Sequence, residues 1–482
     1  MKLFEPFQLH NLRLPNRVVL PAMVTRLSGE DGYVNEDIRD RYLRFAMGEV
    51  GLIVMEAMAV HSAKSGPLLR LSEDRFIPAL RDLVREVHNI SPSKIFPQII
   101  HFLKIARSGW RQKIEDLSHE DIRFIIQAYG EAAARAREAG FDGVELHMAH
   151  AYTLASFLSG RNQRTDEYGG SLENRLRLPS QVVARVREKV GDDFPIGVRF
   201  LGEECIKHGF TLLDSREIAL RLAQLGVAYV SLSAGGKFED AIHKVGEPLY
   251  PYTGFSGDRC MPGDNYPDAH NLYLAEGVKK YLVAHGTHTP VIAVGKISTP
   301  QLAEEILQEG KADLIGMARA LLADPYWPKK VREGRESEIV QCIYCNVCKA
   351  LDENFKRVVC YLWPKGNLQA PLPEEAADRP RWPSGGQLRA YEYKGSIKLE
   401  WERAEHTRPV TGYDIFRSTD KVRFTRVKAV PRLYYRDTQV VGGRTYFYYV
   451  QAYDATGKHS FSTELVECQI PTAVPLKNKD VP

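Results

Sequence analysis

No apolar run in this chain approaches the ~20 consecutive residues that cross a bilayer, so no membrane span is expected. A strong charge of either sign is also missing. Sixty-five Lys and Arg stand against 61 Asp and Glu, a formal net charge of +4 over 482 residues. So small an excess gives no basis for nucleic-acid or anionic-membrane binding. The stretch from Met1 to Pro15 scatters Lys2, Glu5, His10 and Arg13 among its apolar residues and lacks a signal-peptide core. A soluble, cytoplasmic protein is the expectation. Cysteine is scarce and odd in number. Of the seven, Cys342, Cys345, Cys348 and Cys360 fall within nineteen residues, a poor disulfide framework and a good metal-ligand cluster. Cys205, Cys260 and Cys468 stand alone and read as ordinary thiols.

What is present is a long alternation of short β-branched runs and amphipathic stretches over residues 17–333. The runs are Arg17–Met23, Gly51–Glu56, Ile95–His101, Gly143–His147, Ile196–Phe200, Ala228–Ser233, Pro290–Gly295 and Asp313–Met317. Each is too short for a helix and is bounded by Gly, Pro or polar residues, the pattern of buried parallel strands. Between two of them, Ser118–Ala139 carries Ile122, Ile125, Ile126, Tyr129, Ala133 and Ala136 at helical spacing, with Ser118 and Asp121 placed as a capping box. Eight such repeats predict a (β/α)8 TIM barrel over residues 1–335. An open doubly wound sheet would place a glycine fingerprint after its first strand, where Pro21-Ala22-Met23-Val24 stands instead.

Beyond the barrel the pattern changes twice. A cysteine segment occupies 336–370, and Pro371, Pro373, Pro380 and Pro383 mark a linker over 371–384. Alternating, aromatic-rich patterns then follow at Ser396–Trp401, Gly412–Arg417, Arg423–Val427 and Tyr446–Tyr453, predicting a small β-sandwich over 385–475. With Trp401 early and Tyr446, Tyr448, Val450 and Ala452 late, it resembles a fibronectin type III domain.

A TIM barrel places its active site at the C-terminal ends of its strands. The fourth strand ends in Glu145-Leu146-His147 and continues to His150 and Tyr152. Two imidazoles can donate hydrogen bonds to one substrate oxygen, and the phenol can give up a proton. Together with Phe141–His147, the text Asn162-Gln163-Arg164-Thr165-Asp166-Glu167-Tyr168-Gly169-Gly170-Ser171-Leu172-Glu173-Asn174-Arg175 carries a family likeness, as do Asn16–Met23 and Ile315–Leu321. Over residues 1 to about 365 the chain resembles the Old Yellow Enzyme family of FMN-dependent ene-reductases. The likeness is closest to its iron–sulfur branch, which includes bacterial 2,4-dienoyl-CoA reductase and trimethylamine dehydrogenase.

The resemblance implies a bound FMN. Pro21, Ala22, Met23, Val24 and Ala57 would line its ring, Gln98 would meet the pyrimidine edge, and Arg199 would sit near N1–C2, where a fixed cation stabilises reduced flavin. Gly295, Lys296, Ala318 and Arg319 would hold the phosphate. His147 and His150 would hold the carbonyl oxygen of an activated alkene, and Tyr152 would protonate its α-carbon. Val24 departs from the family, which often has a flavin-tuning Thr, Cys or His there. Arg26 is a candidate for an anionic substrate group. Tyr252, in a long loop from Gly235 to Pro267, is a candidate substrate contact.

The spacing Cys-x2-Cys-x2-Cys-x11-Cys suits tetrahedral Zn²⁺ or a [4Fe–4S] cluster alike; the resemblance points to [4Fe–4S]. No Gly-x-Gly-x-x-Gly follows Cys360. Electrons are therefore expected from NAD(P)H acting directly on FMN or from a donor protein or subunit acting through the cluster, the latter being preferred. The sandwich is expected to mediate subunit or partner contact, and the protein to be an oligomer. Three functions are weighed: an ene-reductase acting on an unsaturated carbonyl, acid or acyl-CoA; an amine dehydrogenase or demethylase; and a non-catalytic electron-transfer or assembly subunit.

Overall fold

The computed structural model describes residues 1–63, 66–103, 112–235, 257–373, 379–383, 386–421 and 424–471. The chain divides into two compact units, Met1–Pro371 and Leu372–Pro482. Each of the eight apolar runs becomes one parallel strand of the first unit: β1 (Val18–Leu20), β2 (Leu52–Ala59), β3 (Lys94–Ile100), β4 (Val144–Met148), β5 (Ile196–Glu203), β6 (Tyr229–Ala234), β7 (Val291–Val294) and β8 (Leu314–Gly316). They close in sequence order into a barrel, β8 pairing with both β7 and β1. Strands β2, β4, β5 and β6 are buried at every residue, which is why their sequences read as unbroken apolar runs rather than alternations.

The helices between them start on side-chain caps that satisfy otherwise orphan N–H groups. Ser118 caps His119–Glu138 in the predicted box with Asp121, and Asn35, Ser171, Thr211 and Thr299 cap four others. A short hairpin (Phe7–Leu9 with Leu12–Leu14) lay outside the sequence expectation. Its Leu9 and Leu14 pack with Val19, Leu52, Phe96, Tyr229, Ile292 and Leu314, so it closes the N-terminal end of the barrel.

The cysteine segment belongs to the same compact unit as the barrel. Arg41 bonds the Val358 and Leu368 carbonyls and the Gln369 side chain. Trp363 donates its indole N–H to the Ala323 carbonyl at 3.1 Å and packs with Leu322, Val358 and Ala370.

The second unit holds two antiparallel sheets. One runs Leu388–Tyr393, Ser396–Trp401, Tyr434–Asp437; the other runs Thr425–Val430, Val410–Ser418, Thr445–Asp454, Val466–Gln469. Ile397, Leu399 and Trp401 from the first meet Ile415, Tyr448 and Val450 from the second in one core. The strand expected at Arg423–Val427 is Thr425–Val430, and three strands (Leu388–Tyr393, Tyr434–Asp437, Val466–Gln469) join the four that the sequence pattern marked.

Glycine is required at one barrel position that bears on the site. A Cβ on Gly197 would lie 2.1 Å from Cζ of the buried Tyr229 ring. Gly197→Ala is expected to lower stability by about 1–3 kcal/mol through overpacking, measured by urea unfolding. An unchanged midpoint would mean that Tyr229 repacks freely.

Candidate active site

A cavity of about 1060 Å³ opens at the C-terminal ends of the barrel strands. Its wall includes Ala22, Met23, Val24, Ala57, Gln98, His147, His150, Tyr152, Arg199, Gly295, Lys296, Ala318 and Arg319, so residues from seven strand ends converge as the barrel rule expects. Pro21, next to Ala22, is buried with its ring close to Gly316 and is not among the residues that line the cavity. Tyr252 lies outside the described residues, as do Tyr250 and Phe255.

A buried network fixes the floor. Glu145, on β4, accepts from Gln98 Nε2 at 2.6 Å and from the Tyr229 hydroxyl at 2.9 Å. Burial pushes its carboxyl pKa up, opposed by the nearby Arg199 charge and by those two donors. With its amide N–H held, Gln98 presents a fixed orientation to the cavity. Arg199 is 5% exposed and donates to the Ala22 carbonyl at 3.2 Å, while its Nε has no hydrogen-bond partner among the described residues. A buried unpaired guanidinium nitrogen is costly unless a ligand accepts from it.

Positive φ at His150 and Ala151 turns the chain out of β4 and starts the short helix Thr153–Leu158 at Tyr152. This turn brings three side chains together. His147 Nε2 lies 3.3 Å from His150 Nδ1, and the Tyr152 ring stands edge-on to His147 with centroids 5.0 Å apart. Burial, then the mutual pair and the Arg199 cation, hold the His147 pKa well below the ordinary imidazole value; burial and Arg199 do the same for His150. Both rings are therefore neutral at physiological pH. Burial, reinforced by Asp352, raises the Tyr152 phenol to about 12, so it keeps its proton.

Two partners of His150 were not anticipated. Ser233 Oγ, at the end of β6, lies 2.7 Å from His150 Nε2, and Cys260 Sγ lies 3.2 Å from the same nitrogen. Cys260 also lines the cavity, so its reading as an ordinary isolated thiol is replaced by a place beside the histidine pair. Nothing in the sequence pairs residues 150, 233 and 260; only barrel closure does.

Other expected residues are present but already engaged. Arg26 lines the cavity, yet its Nε donates to Asp352 at 2.7 Å and its guanidinium lies over the Phe355 ring. Lys296 bonds the Asp264 and Tyr266 carbonyls, and Arg319 bonds the Pro262 carbonyl and Asn346; both cations face the Tyr344 ring.

The four clustered cysteines are free thiols that together line one small cavity beside Arg319 and Leu322. A tetrahedral Zn²⁺ with Zn–S bonds of about 2.3 Å needs its sulfurs about 3.8 Å apart. Among the described residues, no three of these sulfurs lie within 4.8 Å of one another. Met23, on the wall of the large cavity, packs in the same apolar cluster as Cys348 and Cys360.

A family model for NADH:flavin oxidoreductases and NADH oxidases matches residues 2–115, 103–247 and 264–338. The chain belongs to this NADH:flavin oxidoreductase / NADH oxidase family. It is 36% identical over 366 residues to an NADH oxidase of Thermoanaerobacter brockii, covering 72% of this chain and 53% of that protein. Among solved structures it is similar to 2-naphthoyl-CoA reductase in complex with 2-naphthoyl-CoA (26% identity, TM-score 0.65, covering 76% of this chain and 57% of that one). It is also similar to histamine dehydrogenase from Rhizobium sp. 4-9 (27% identity, TM-score 0.63, covering 75% and 52%). The chain thus spans about half the length of these relatives. No helix among the described residues is long and apolar enough to cross a membrane.

Glu56 sits at the register shift of β2 and accepts from the Thr25 backbone N–H at 3.1 Å and hydroxyl at 2.7 Å. It is fully buried, which raises its carboxyl from 4.5 to about 7 against those hydrogen bonds and the Arg41 and Arg26 charges. The folded protein therefore holds a proton that the unfolded chain releases near 4.5, and stability falls as pH rises from about 4.5 through about 7. Glu56→Gln removes this loss. Relative to wild type it is expected to gain on the order of 2–3 kcal/mol at pH 8 and little at pH 4, measured by urea unfolding at both values. A pH-independent difference would contradict the assignment.

Proposed function

We propose that the barrel binds FMN and reduces activated C=C bonds: α,β-unsaturated carbonyls, acids or acyl thioesters. The observation that carries this reading is the neutral His147–His150 pair beside a protonated Tyr152, on a cavity whose buried Arg199 Nε is unpaired. Ala22, Met23, Val24 and Ala57 would lie along the flavin ring, Gln98 at its pyrimidine edge and Arg199 near N1–C2. Gly295, Lys296, Ala318 and Arg319 would meet its phosphate. Gly295 has φ +127 and a Cβ there would crowd Asn271, so the backbone there can approach a ligand closely. When bound, FMN supplies the hydride chemistry.

The chain's own residues do the rest. Neutral imidazole N–H groups stabilise the negative charge that develops on a carbonyl oxygen. Tyr152, keeping its proton at neutral pH, donates it to the basic α-carbon. Cys342, Cys345, Cys348 and Cys360 would hold a [4Fe–4S] cluster, which supplies one-electron transfer when bound. Met23, on the cavity wall, packs against the same apolar core as Cys348 and Cys360. A donor protein or subunit acting through the cluster is the preferred electron source, and NAD(P)H acting directly on FMN the alternative. The sandwich, read as fibronectin type III-like, serves partner contact.

A second reading, oxidation of an amine, is favoured by Glu30 on the cavity wall and by the likeness to histamine dehydrogenase. Anaerobic mixing separates the two. Cyclohexenone is expected to reoxidise chemically reduced flavin, and trimethylamine to leave oxidised flavin unchanged. Tyr152→Phe is expected to slow enone reduction by about 10²-fold or more. Flavin bleaching by the amine, with no response to the enone, would reverse the assignment.

A further inference from the structure

The hydrogen bonds around His150 have a direction. The Ala149 backbone N–H can only donate, and it donates to His147 Nδ1 at 3.1 Å. A neutral His147 then carries its single ring proton on Nε2, which points at His150 Nδ1, 3.3 Å away. His150 accepts at Nδ1 and so carries its own proton on Nε2. That proton meets Ser233 Oγ at 2.7 Å, with Cys260 Sγ at 3.2 Å. The Ser233 hydroxyl in turn reaches Cys260 Sγ at 3.8 Å.

In this state the pair offers a carbonyl oxygen one N–H, from His147, and one lone pair, from His150 Nδ1. Two donors on one oxygen require His150 to carry its proton on Nδ1 and to accept at Nε2. The partners at Nε2 must then be able to donate as well as accept. A hydroxyl and a thiol can do both; a carbonyl, a carboxylate or a backbone N–H cannot.

We propose that Ser233 and Cys260 are positioning residues that let His150 change tautomer when a carbonyl oxygen binds. They accept from Nε2–H before binding and donate to Nε2 afterwards. His150 releases its Nε2 proton to water and takes one from water at Nδ1, so its charge and the proton count are unchanged. Ser233 is 3% exposed and fixed at the end of β6, and Cys260 closes the turn Gly257–Cys260. Both act through His150. The inference rests on the ene-reductase reading and deepens it by assigning the group that makes the second donor available.

Selective ¹⁵N-histidine NMR of the flavin-loaded protein tests it, with His150 assigned by its loss in His150→Ala and with cyclohexanone as a ketone that has no C=C bond to reduce. The expected result is an Nε2-protonated His150 alone and an Nδ1-protonated His150 with the ketone. The double variant Ser233→Ala/Cys260→Ala is expected to keep its flavin spectrum, to hold one tautomer with or without ketone, and to reduce cyclohexenone about ten- to hundredfold more slowly. Ser233→Thr in the Cys260→Ala background restores both readouts. A wild-type His150 that stays Nε2-protonated with ketone bound overturns the proposal, as does a double variant that switches normally. If the enone does not reoxidise reduced flavin, the ene-reductase reading falls and takes the proposal with it. If it does and His150 keeps its tautomer, the proposal alone falls.

Discussion

Arg199 is a guanidinium buried in the mouth of the barrel with one nitrogen unpaired, and the chemistry of the site follows from that placement. A buried cation must be compensated, and the network beneath it does part of this through Glu145, itself held by Gln98 and Tyr229. Arg199 also lines the cavity, where an electron-rich ring edge would meet its guanidinium. The same charge, added to burial, keeps His147 and His150 from becoming cations. They stay neutral rather than becoming competing charges, and each presents its single N–H to a developing oxyanion only in the tautomer that aims it there. One fixed arginine thus shapes both the expected cofactor position and the protonation state of the residues above it.

The cysteine segment is tied to this centre by more than sequence proximity. The Val358 N–H donates to the Thr25 carbonyl, whose own N–H and hydroxyl are held by Glu56. Arg41 anchors Val358, Leu368 and Gln369. The segment carrying four thiols and the β1–helix loop lining the cavity are therefore cross-braced. Rigid spacing of this kind suits a group that exchanges electrons with a neighbour.

The barrel was legible because each central strand, covered on both faces, is a short apolar run closed by Gly, Pro or polar residues; all eight runs became strands. The hairpin at Phe7–Leu14 was not, since its three-residue strands carry no period. Leu388–Tyr393 in the second unit escaped because most of it is exposed and its pattern is weak. At the site, His147, His150 and Tyr152 stand at the end of β4, where the fold itself marks them, whereas Gln98 and Arg199 were reached through the family resemblance. Ser233 and Cys260 were invisible: one reads as the polar close of a strand, the other as a stray thiol, and their meeting at His150 depends on barrel closure. Glu56 was hidden inside an apolar run, its carboxyl aimed by a strand irregularity that the sequence does not signal. The engagement of Arg26 with Asp352 is likewise tertiary, joining residues 326 apart.

The proposed centre holds a flavin against Arg199 and an iron–sulfur cluster on Cys342, Cys345, Cys348 and Cys360. Flavin and metal analysis of the chain purified without oxygen tests it most directly. The account predicts about one FMN and about four iron atoms per chain, with no stoichiometric zinc. A protein that binds zinc in place of iron, or that carries no flavin after incubation with FMN, would contradict it.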